Sequence, residues 1–424
     1  MNKSLLISAV ILFTFKGISA AFNPFKPYKP LNEIDYSLNL SLGHDTASIA
    51  YKPDLFAERT LVPLGLISTS ILYNDNRLDK RIIKLGGITQ PAFQSANYLQ
   101  YSPLGILLAL KAAGVQGRSD WPRMITADGA AVVIQAGITN ALKYSLKRER
   151  PDGRANNSYP SGHTATAFMC AQMLHKEYGE TVSPWISAGG YGIAATTGIF
   201  RVIANRHWCS DVMAGAAIGI FSTEIAYELT DILFGEHGLR KPVIAPDTDE
   251  MPEWYFGLYS DYSIGADVFT SGGYGNPNAK PACSIGIDAS WMPWYIGPTL
   301  RAGLTQMKWT GQDDIYLAPG GSVADVYTLG AGLDMDIPVI ERISLNGQAI
   351  AGYSPQANSY SFCLDPAQSQ TLEWEIPAGL HCYGNIGMTI RTSSFSSVSV
   401  HGGIDYYDKV WRSFVLGARF NFCF

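Results

Sequence analysis

An alternation of apolar and polar residues with a period of two runs through the C-terminal part of the chain and restricts the possible folds most. From Ser413 to Phe424, the even-numbered positions carry Phe, Leu, Ala, Phe, Phe and Phe, and the odd-numbered positions carry Ser, Val, Gly, Arg, Asn and Cys. Successive side chains of a β-strand point to opposite faces of a sheet, so this pattern predicts strands with one apolar face. The C-terminal part is therefore expected to form a β-sandwich or a β-barrel.

Eight segments share this alternation, and each is about ten residues long or longer, as a tilted transmembrane strand requires. The segments start near residues 255, 283, 299, 324, 342, 380, 396 and 411. The connections after the first, third and fifth segments are long, and those after the second, fourth and sixth are short. Outer-membrane barrels have long external loops and short periplasmic turns, whereas a soluble sandwich has no need of this alternation.

Aromatic residues lie near many segment ends, among them Trp254, Trp291 and Trp411. Such positions are typical of the aromatic girdles of a membrane barrel. The region resembles small eight-stranded bacterial outer-membrane barrels, including their terminal aromatic residue, here Phe424. We therefore expect residues 254–424 to form an eight-stranded antiparallel β-barrel.

The first 20 residues have the three parts of a secretory signal peptide. Lys3 supplies the positive start, residues 5–15 form an apolar run that is too short to span a bilayer, and Ala20 ends a cleavage site of small residues. We expect cleavage after Ala20 and an N-terminal extension over residues 21–59. The alternative is a buried first helix.

Export to an oxidising compartment permits disulfides. Cys363 falls in the longest predicted loop, and Cys382 starts the strand that follows it. Both lie on the predicted external side of the barrel, so a disulfide between them is compatible with this topology.

Residues 60–236 change to a helical period, with many Ala and Gly residues at close spacing. The predicted helices are Leu61–Leu72, Pro103–Ala113, Ile125–Arg148, Gly162–Tyr178, Pro184–Ile203 and Asp211–Leu233. The charge-free stretch Thr181–Phe200 contains four Gly and one Pro, which is a weak composition for a membrane span. We expect a soluble all-α bundle here, with membrane helices as the alternative, and a charged, Pro-containing linker over residues 237–253.

Composition and charge exclude two classes of protein. Charged residues make up only 16% of the chain and hydrophobic residues 47%, which argues against intrinsic disorder. The formal net charge of −5 argues against a nucleic-acid partner.

Two segments of the helical part carry residues that are typical of an anion site. In the first, Lys143 and Arg150 are seven residues apart, which places them nearly on one face of a helix that Pro151 ends. In the second, Ser161 and the preceding Pro are helix-start signals, and unpaired backbone N–H groups at a helix start bind anions. His163 would stand beside these groups. Alone, the first segment is better explained as a solvated basic helix end, and the second is a four-residue match of only moderate specificity.

A third segment runs from Arg201 to Asp211 and contains His207. His207 and Asp211 lie four residues apart. An Asp that accepts a hydrogen bond from one imidazole nitrogen fixes the tautomer and leaves the other nitrogen free to attack. The same pair alone is also compatible with a surface His near a capping Asp.

Together the segments read Lys-x6-Arg-Pro, Pro-Ser-Gly-His and Arg-x5-His-x3-Asp. In this order they resemble the signature of the type 2 phosphatidic acid phosphatase superfamily, which includes lipid phosphatases, bacterial nonspecific acid phosphatases and vanadium haloperoxidases. The resemblance covers about residues 60–236 and implies a six-helix core with the site between helix ends. Phe200 departs from the pattern, because the family usually has Ser before the Arg of the third segment, and this puts a local hydrogen bond in doubt.

The resemblance implies a phosphate-binding role for five of the matched residues. Lys143, Arg150 and Arg201 would bind phosphate oxygens through charge-assisted hydrogen bonds. The hydroxyl of Ser161 and the backbone N–H of Gly162 would add further hydrogen bonds.

The resemblance assigns the chemistry to three other residues. His207 would attack phosphorus and become a phosphohistidine, and Asp211 would orient His207. His163 would protonate the leaving oxygen and then activate the water that hydrolyses the intermediate. The resemblance implies no metal ion or other cofactor, because stable cations and two histidines suffice for this reaction.

These expectations combine into a phosphomonoesterase that is joined to an outer-membrane barrel. In a barrel with an even number of strands, the first strand begins and the last strand ends on the same side of the membrane, the periplasmic side. The enzyme, which precedes the first strand, is therefore expected in the periplasm. Tethering near the membrane raises the effective concentration of lipids, so the expected substrate is lipid A, a phosphatidyl-type lipid or a polyprenyl phosphate. The alternatives are a nonspecific phosphatase of small phosphoesters, a vanadium-dependent haloperoxidase, and a barrel with an inert helical domain.

Overall fold

The structure is a computed structural model, and it describes thirteen stretches of the chain. These are residues 59–73, 82–84, 91–151, 155–204, 206–240, 253–269, 279–309, 315–317, 324–340, 343–355, 358–363, 371–393 and 396–423. The predicted signal peptide and the predicted N-terminal extension, except Arg59, lie outside the described residues, as do residues 241–252 of the predicted linker.

All six predicted helices are present, and one further short helix joins them in the described part of the chain. The helices are α1 (Leu61–Tyr73), α2 (Pro91–Leu99), α3 (Ser102–Ala112), α4 (Trp121–Leu146), α5 (Gly162–Leu174), α6 (Pro184–Ile203) and α7 (Cys209–Phe234). A π-helical turn, His175–Gly179, extends α5. The helix α2 was not predicted from the sequence.

The helix α4 begins four residues before its predicted start because of a cap that the apolar pattern does not reveal. The Asp120 carboxylate accepts a hydrogen bond from the backbone N–H of Arg123 at 3.1 Å, and Pro122 occupies the first turn. At the other end, Lys147 has a φ of 44°, a left-handed conformation that ends the helix before the predicted Arg148.

Small residues allow α5 and α7 to cross in close contact. A Cβ on Gly215 would lie 2.5 Å from the carbonyl oxygen of Ser161, and one on Gly219 would lie 2.4 Å from that of Ala165. Any larger side chain at these two positions would separate the helices. Because Ser161 starts α5, this contact also fixes one side of the candidate site.

The second half of the chain is a closed, antiparallel eight-stranded barrel, as predicted. Its strands are β2 (Trp254–Val268), β3 (Ala279–Trp291), β4 (Ile296–Trp309), β6 (Ala324–Ile340), β7 (Ile343–Ser354), β10 (Gly379–Ser393), β11 (Ser396–Tyr407) and β12 (Trp411–Cys423). The last strand, β12, pairs with the first, β2, and closes the barrel.

The two ends of the barrel differ in their connections. Residues 292–295, 341–342 and 394–395 link strands at one end, which we call the short-turn end. Residues 269–278, 310–323 and 355–378 link strands at the other, the long-loop end, together with the tight turn at 408–410. Short strands β1 (Ile82–Lys84), β5 (Ile315–Leu317), β8 (Asn358–Cys363) and β9 (Thr371–Ile376) form a separate sheet in the order β1-β5-β8-β9, which was not predicted.

Charged side chains fill the interior of the barrel and pair with one another. Arg301 pairs with Asp261, which also lies 2.7 Å from the Nε2 atom of His401. Arg419 pairs with Asp334 at 2.6 Å. Buried charges are tolerated only when they are paired in this way, so the alternating polar residues of the strands line an ion-paired interior.

Of the two cysteines that the sequence suggested as a disulfide, Cys363 and Cys382, the structure describes one side chain. Cys382 is a free thiol. It points outward from β10 beside Ala351, Ile404 and Tyr406, away from the interior of the barrel. The side chain of Cys363 lies outside the described residues.

The helical bundle packs against the outward face of the barrel. Phe420 and Phe422 point outward from β12 but are only 1% and 5% exposed, because helices cover them. The Tyr191 ring of α6 stacks on Phe422 with centroids 3.8 Å apart, and a Cβ on Gly65 of α1 would lie 2.8 Å from the Phe420 ring. The bundle therefore covers part of the surface that strand alternation alone assigns to lipid.

The helix α6 runs along this face from the short-turn end toward the long-loop end. Near its start, the Trp185 ring lies 5.0 Å from that of Trp254, the first residue of β2. Near its end, Val202 belongs to the same buried cluster as Leu304 and Cys283, and Cys283 lies closer to the long-loop end of β3 than to its short-turn end. The helical part is thus fixed to the barrel wall, in addition to being connected to it through the linker.

Candidate active site

The eight site residues that the sequence predicted meet at one end of the bundle. Four helix ends converge there, namely the last turns of α4 and α6 and the first turns of α5 and α7. Helix starts offer free N–H groups and a partial positive charge, so two of these four ends favour an anion. The segments that are far apart in sequence are therefore brought to one place.

One asparagine holds two of the predicted cations. Lys143 Nζ donates to the carbonyl oxygen of Asn157 at 2.8 Å, and Arg150 Nε donates to its side-chain Oδ1 at 2.8 Å. Asn157 thereby holds Arg150, which lies beyond the end of α4 and not on the helix as predicted, close to Lys143. Lys143 also faces the start of α5, since a Cβ on Gly162 would lie 3.8 Å from the Lys143 Cε atom.

Ser161 is the N-cap of α5 and is fully buried. Its hydroxyl oxygen accepts hydrogen bonds from the hydroxyl and the backbone N–H of Thr164, at 2.9 and 3.5 Å. Its backbone N–H donates to the carbonyl oxygen of Asp211 at 2.9 Å, which ties α5 to the start of α7. Because the Ser161 hydroxyl oxygen accepts in both of these bonds with Thr164, its hydrogen is left to donate to a bound anion.

Arg201 supplies a third positive charge from the last turn of α6 and is only 2% exposed. A guanidinium keeps its charge when buried and binds planar or tetrahedral oxyanions in a fixed geometry. Its charge acts on both site histidines, as their pKa values show. The three cations thus act on one small volume.

His207 is 1% exposed and is held in one orientation by a backbone group. Its Nδ1 atom donates to the carbonyl oxygen of Ser158 at 2.7 Å, and this contact fixes the tautomer with Nε2 unprotonated. Asp211, which the sequence assigned to this function, lies 3.8 Å from Nδ1, a distance too long for a hydrogen bond.

Asp211 instead holds the residues around His207. Its Oδ2 atom accepts from the Ser158 hydroxyl at 2.5 Å and from the Trp208 backbone N–H at 2.9 Å, and its Oδ1 atom accepts from Arg148 at 2.7 Å. Asp211 thus completes the capping box at the start of α7, whose N-cap is Trp208, and also supports the Ser158 peptide. It orients His207 through Ser158, and its negative charge acts to raise the pKa of His207.

His163 lies on the first turn of α5 and contacts a residue that sequence reasoning missed. Its Nε2 atom lies 2.8 Å from Oδ1 of Asn97, on α2. An amide oxygen accepts only, so this contact places a proton on Nε2. Asn97 therefore fixes the tautomer of His163, as Ser158 does for His207.

Burial and neighbouring charges keep both imidazoles neutral in the site without anion. Burial lowers the pKa of His163 to about 3, and the positive charges of Arg201, Lys143 and Arg150 act in the same direction. A neutral His163 cannot donate the proton that a leaving oxygen needs. A bound anion would offset the cations and raise this pKa, so proton uptake is coupled to anion binding.

The pKa of His207 falls for the same main reason. Burial lowers it to about 4, Arg201 and Lys143 add to the effect, and Asp211 opposes it. A neutral imidazole with Nδ1 protonated presents the Nε2 lone pair, which is the form that can act as a nucleophile. The two histidines therefore suit different tasks, attack by one and proton transfer by the other.

Asn97, Arg148, Asn157 and Ser158 support the site and were not predicted. Asn97 lies on the helix that the sequence analysis missed, and Ser158 acts through a main-chain carbonyl that any residue would supply. Among the described residues, no group of three or more His, Cys, Asp or Glu side chains is arranged to hold a metal ion. The donors that converge here are cations and N–H groups, which suit an oxyanion.

Comparison with known families gives a match inside the helical part. Residues 127–233 match the model of the PAP2 superfamily, and all eight predicted site residues fall within this range. Over 172 residues the chain is 44% identical to the lipid A 1-phosphatase of Porphyromonas gingivalis, an alignment that covers 40% of this chain and 38% of that protein. The chain thus spans less than two-fifths of the length of this relative.

Two solved structures are each similar to a part of the chain. LpxE of Aquifex aeolicus covers 38% of the chain and 94% of its own length, with 22% identity and a TM-score of 0.27. Neisserial surface protein A covers 42% of the chain and all of its own length, with 12% identity and a TM-score of 0.28.

Proposed function

Because residues 127–233 match the PAP2 superfamily and hold two histidines among three cations, we propose that the protein is a phosphatase of a phosphorylated lipid in the outer membrane of a Gram-negative bacterium. The observation that carries this proposal is the convergence of eight residues from separate segments on one anion-binding volume. The relative with 44% identity is named as a lipid A 1-phosphatase, which supports a lipid phosphate as the substrate class.

The first half of the reaction transfers the phosphoryl group to His207. Lys143, Arg150 and Arg201 hold the phosphate oxygens and balance the charge of the transition state. The Nε2 lone pair of His207 attacks phosphorus in line, a nitrogen–phosphorus bond forms, and the phosphorus–oxygen ester bond breaks. His163 gives its proton to the leaving oxygen, which departs as an alcohol.

The second half returns the enzyme to its starting state. His163, now neutral, takes a proton from a water molecule that attacks the phosphohistidine. The nitrogen–phosphorus bond breaks, inorganic phosphate leaves, and His207 recovers its lone pair. Splitting the hydrolysis into two displacements lets the same cations stabilise both transition states.

A lipid substrate fits the position of the helical part better than a small soluble phosphoester does. The bundle covers Phe420 and Phe422 on the outward face of the barrel, so the site cannot diffuse away from the membrane. Confinement raises the effective concentration of membrane lipids over that of dissolved substrates. The periplasmic placement expected from the sequence, by contrast, remains a prediction.

Phosphate release from a panel of substrates tests the proposal. The full-length protein in detergent is incubated with lipid A, phosphatidic acid, a polyprenyl phosphate and p-nitrophenyl phosphate, and wild type is compared with His207→Gln. We expect release from at least one lipid and no turnover by the variant. His237→Gln, the same substitution at an exposed histidine near the other end of the bundle, should retain full activity.

Trapping the intermediate tests the nucleophile separately. Phosphohistidine survives alkali and is lost in acid, so a reaction stopped in alkali should leave labelled phosphate on wild type but not on His207→Gln. Release from p-nitrophenyl phosphate alone would identify a nonspecific phosphatase. Halide oxidation with bound vanadate, and no phosphate release, would identify a haloperoxidase and overturn the proposal.

A further inference from the structure

The helix α4 has an apolar face that the rest of the structure leaves uncovered. Two described helices, Trp121–Leu146 and Cys209–Phe234, are long and apolar enough to cross a membrane. The most apolar stretch of α7 is 78% buried, as in the core helix of any bundle, whereas that of α4 is only 22% buried. Core packing therefore explains the composition of α7 but not that of α4.

The uncovered face of α4 carries no charge over most of its length. Its exposed residues between the two ends are Ile125, Thr126, Gly129, Val132, Val133, Gly137, Asn140 and Ala141. The one charged residue in this stretch, Asp128, is turned inward and accepts a hydrogen bond from Tyr227 at 3.0 Å. A helix that faces water normally carries charged residues on its outer face.

The ends of α4 match the thickness of a bilayer. Its 26 residues span about 39 Å at 1.5 Å per residue, which exceeds the hydrocarbon thickness of about 30 Å. Trp121 at its start is 45% exposed, and Tyr144 near its end is 77% exposed. Tyr and Trp are enriched at the two interfaces of a membrane, and the exposed Lys147 follows Tyr144 where headgroups would begin.

The outward surface of the barrel indicates that lipid covers the apolar face of α4. Outside the docking area, its outward side chains are apolar and exposed; they include Leu300, Leu329, Leu333, Ile386, Met388, Val400, Ile404, Phe414 and Leu416. Such a band faces the acyl chains of a bilayer. Because the bundle is packed on the same outward wall, it lies at the same depth as this band.

Two observations orient the candidate active site toward the long-loop end. The helix α6, which carries Arg201 in its last turn, runs from Trp254 at the short-turn end toward Cys283. The strand β1, which lies between α1 and α2 in the chain, pairs in parallel with β5 within the long connection 310–323. In outer-membrane barrels the long loops are external.

From this packing, and resting on the proposed function, we propose that the helical part shares the bilayer with the barrel and serves its outer leaflet. The uncharged face of α4 contacts acyl chains, and the phosphate site opens among the headgroups next to the long loops. A lipid of that leaflet would then reach Lys143 and His163 by lateral diffusion, with its phosphate at headgroup depth. This placement differs from the periplasmic one expected from the sequence.

Cysteine labelling on intact Gram-negative cells tests the orientation without relying on activity. Tyr144→Cys and Glu236→Cys place thiols at opposite ends of the bundle, and both native side chains are exposed. We expect a polyethylene glycol maleimide too large for porins to label Tyr144→Cys on intact cells and Glu236→Cys only after the outer membrane is permeabilised. Wild type, whose described cysteines are buried or half-buried, gives the background.

The reverse result, or labelling of both variants only after permeabilisation, would overturn the proposal and support a periplasmic site. Labelling of both on intact cells would also overturn it. These outcomes are independent of phosphate release, so an inactive enzyme in detergent would count against the proposed function and leave the orientation to be judged by the labelling.

A spin label at Val133, which is 72% exposed, tests what covers the middle of α4. In reconstituted full-length protein, we expect frequent collisions with oxygen, which concentrates in lipid, and few with a water-soluble nickel chelate. Frequent collisions with the chelate would mean that the face is in water. Few collisions with either reagent would mean that a second copy or another protein covers it, and both results would contradict the proposal.

Discussion

The sharpest prediction concerns the route by which Asp211 acts on His207. Ser158 links them, because its hydroxyl donates to Asp211 at 2.5 Å and its carbonyl accepts from His207 at 2.7 Å. In Ser158→Ala the carbonyl remains but loses the hydroxyl that holds it in place. A hydrogen bond to a buried charge contributes about 1.5–3 kcal/mol. If all of that energy positions the transition state, kcat should fall about tenfold to a hundredfold.

Replacing Asp211 has a second effect that separates folding from catalysis. Asp211→Asn leaves the Arg148 guanidinium, only 8% exposed, without its carboxylate. Removing one partner of a buried ion pair costs about 3–5 kcal/mol. We therefore expect a lower midpoint of thermal unfolding for the bundle, followed by the helical circular-dichroism signal, together with a fall in kcat at least as large as in Ser158→Ala.

The double variant decides between the two routes. If Asp211 acts through the Ser158 peptide, Asp211→Asn with Ser158→Ala should have nearly the same kcat as Asp211→Asn alone. If the fall in kcat of the double variant equals the product of the two single falls, Asp211 acts on His207 directly across 3.8 Å, and this reasoning is refuted. Ser145→Ala, which removes an exposed hydroxyl on α4, is the matched control and should leave kcat unchanged.

Three other perturbations follow from the same geometry. Because the pKa of His163 is lowered to about 3 in the site without anion, sulfate, which carries no proton at pH 6, should bind with uptake of about one proton, measured by calorimetry in two buffers; no uptake would contradict the assigned acid. Asn97→Asp puts a carboxylate beside His163 Nε2 and should raise its pKa, so the pH–rate profile should move to higher pH; an unmoved profile in a folded variant would exclude Asn97 as a positioning residue. Gly219→Ala forces a Cβ to within 2.4 Å of the Ala165 carbonyl oxygen and should destabilise the bundle by about 1–3 kcal/mol, whereas Gly129→Ala, with open space around it, should not.

The strands and the candidate site residues were the parts most accessible from the sequence. The alternation from Phe414 to Phe424 has a period of two, which fits a β-strand and not a helix. The eight predicted strand starts lie close to the starts of the observed strands. The site residues were found because three spaced segments together resemble one family. The sequence also placed Gly162 at a helix start through the signals that precede it, and α5 begins there.

Other features leave no mark that a single sequence reveals. The carbonyl of Ser158 is a main-chain group, and Asn97 lies on a helix of only nine residues that was not predicted. Phe420 and Phe422 are apolar whether lipid or a helix covers them, so alternation could not reveal that the bundle docks there. The π-helical turn after α5, whose five residues are all buried, was likewise not predicted.

The surface that receives the bundle crosses the junction between the first and last strands of the barrel. Phe420 and Phe422 stand on β12, and Phe256 and Leu258, which pack into the same cluster, stand directly opposite on β2. The strands β2 and β12 become neighbours only when the barrel closes. In an unclosed barrel, the two halves of the surface on which the helices dock would lie apart. The complete docking surface for the helices therefore exists only in the closed barrel.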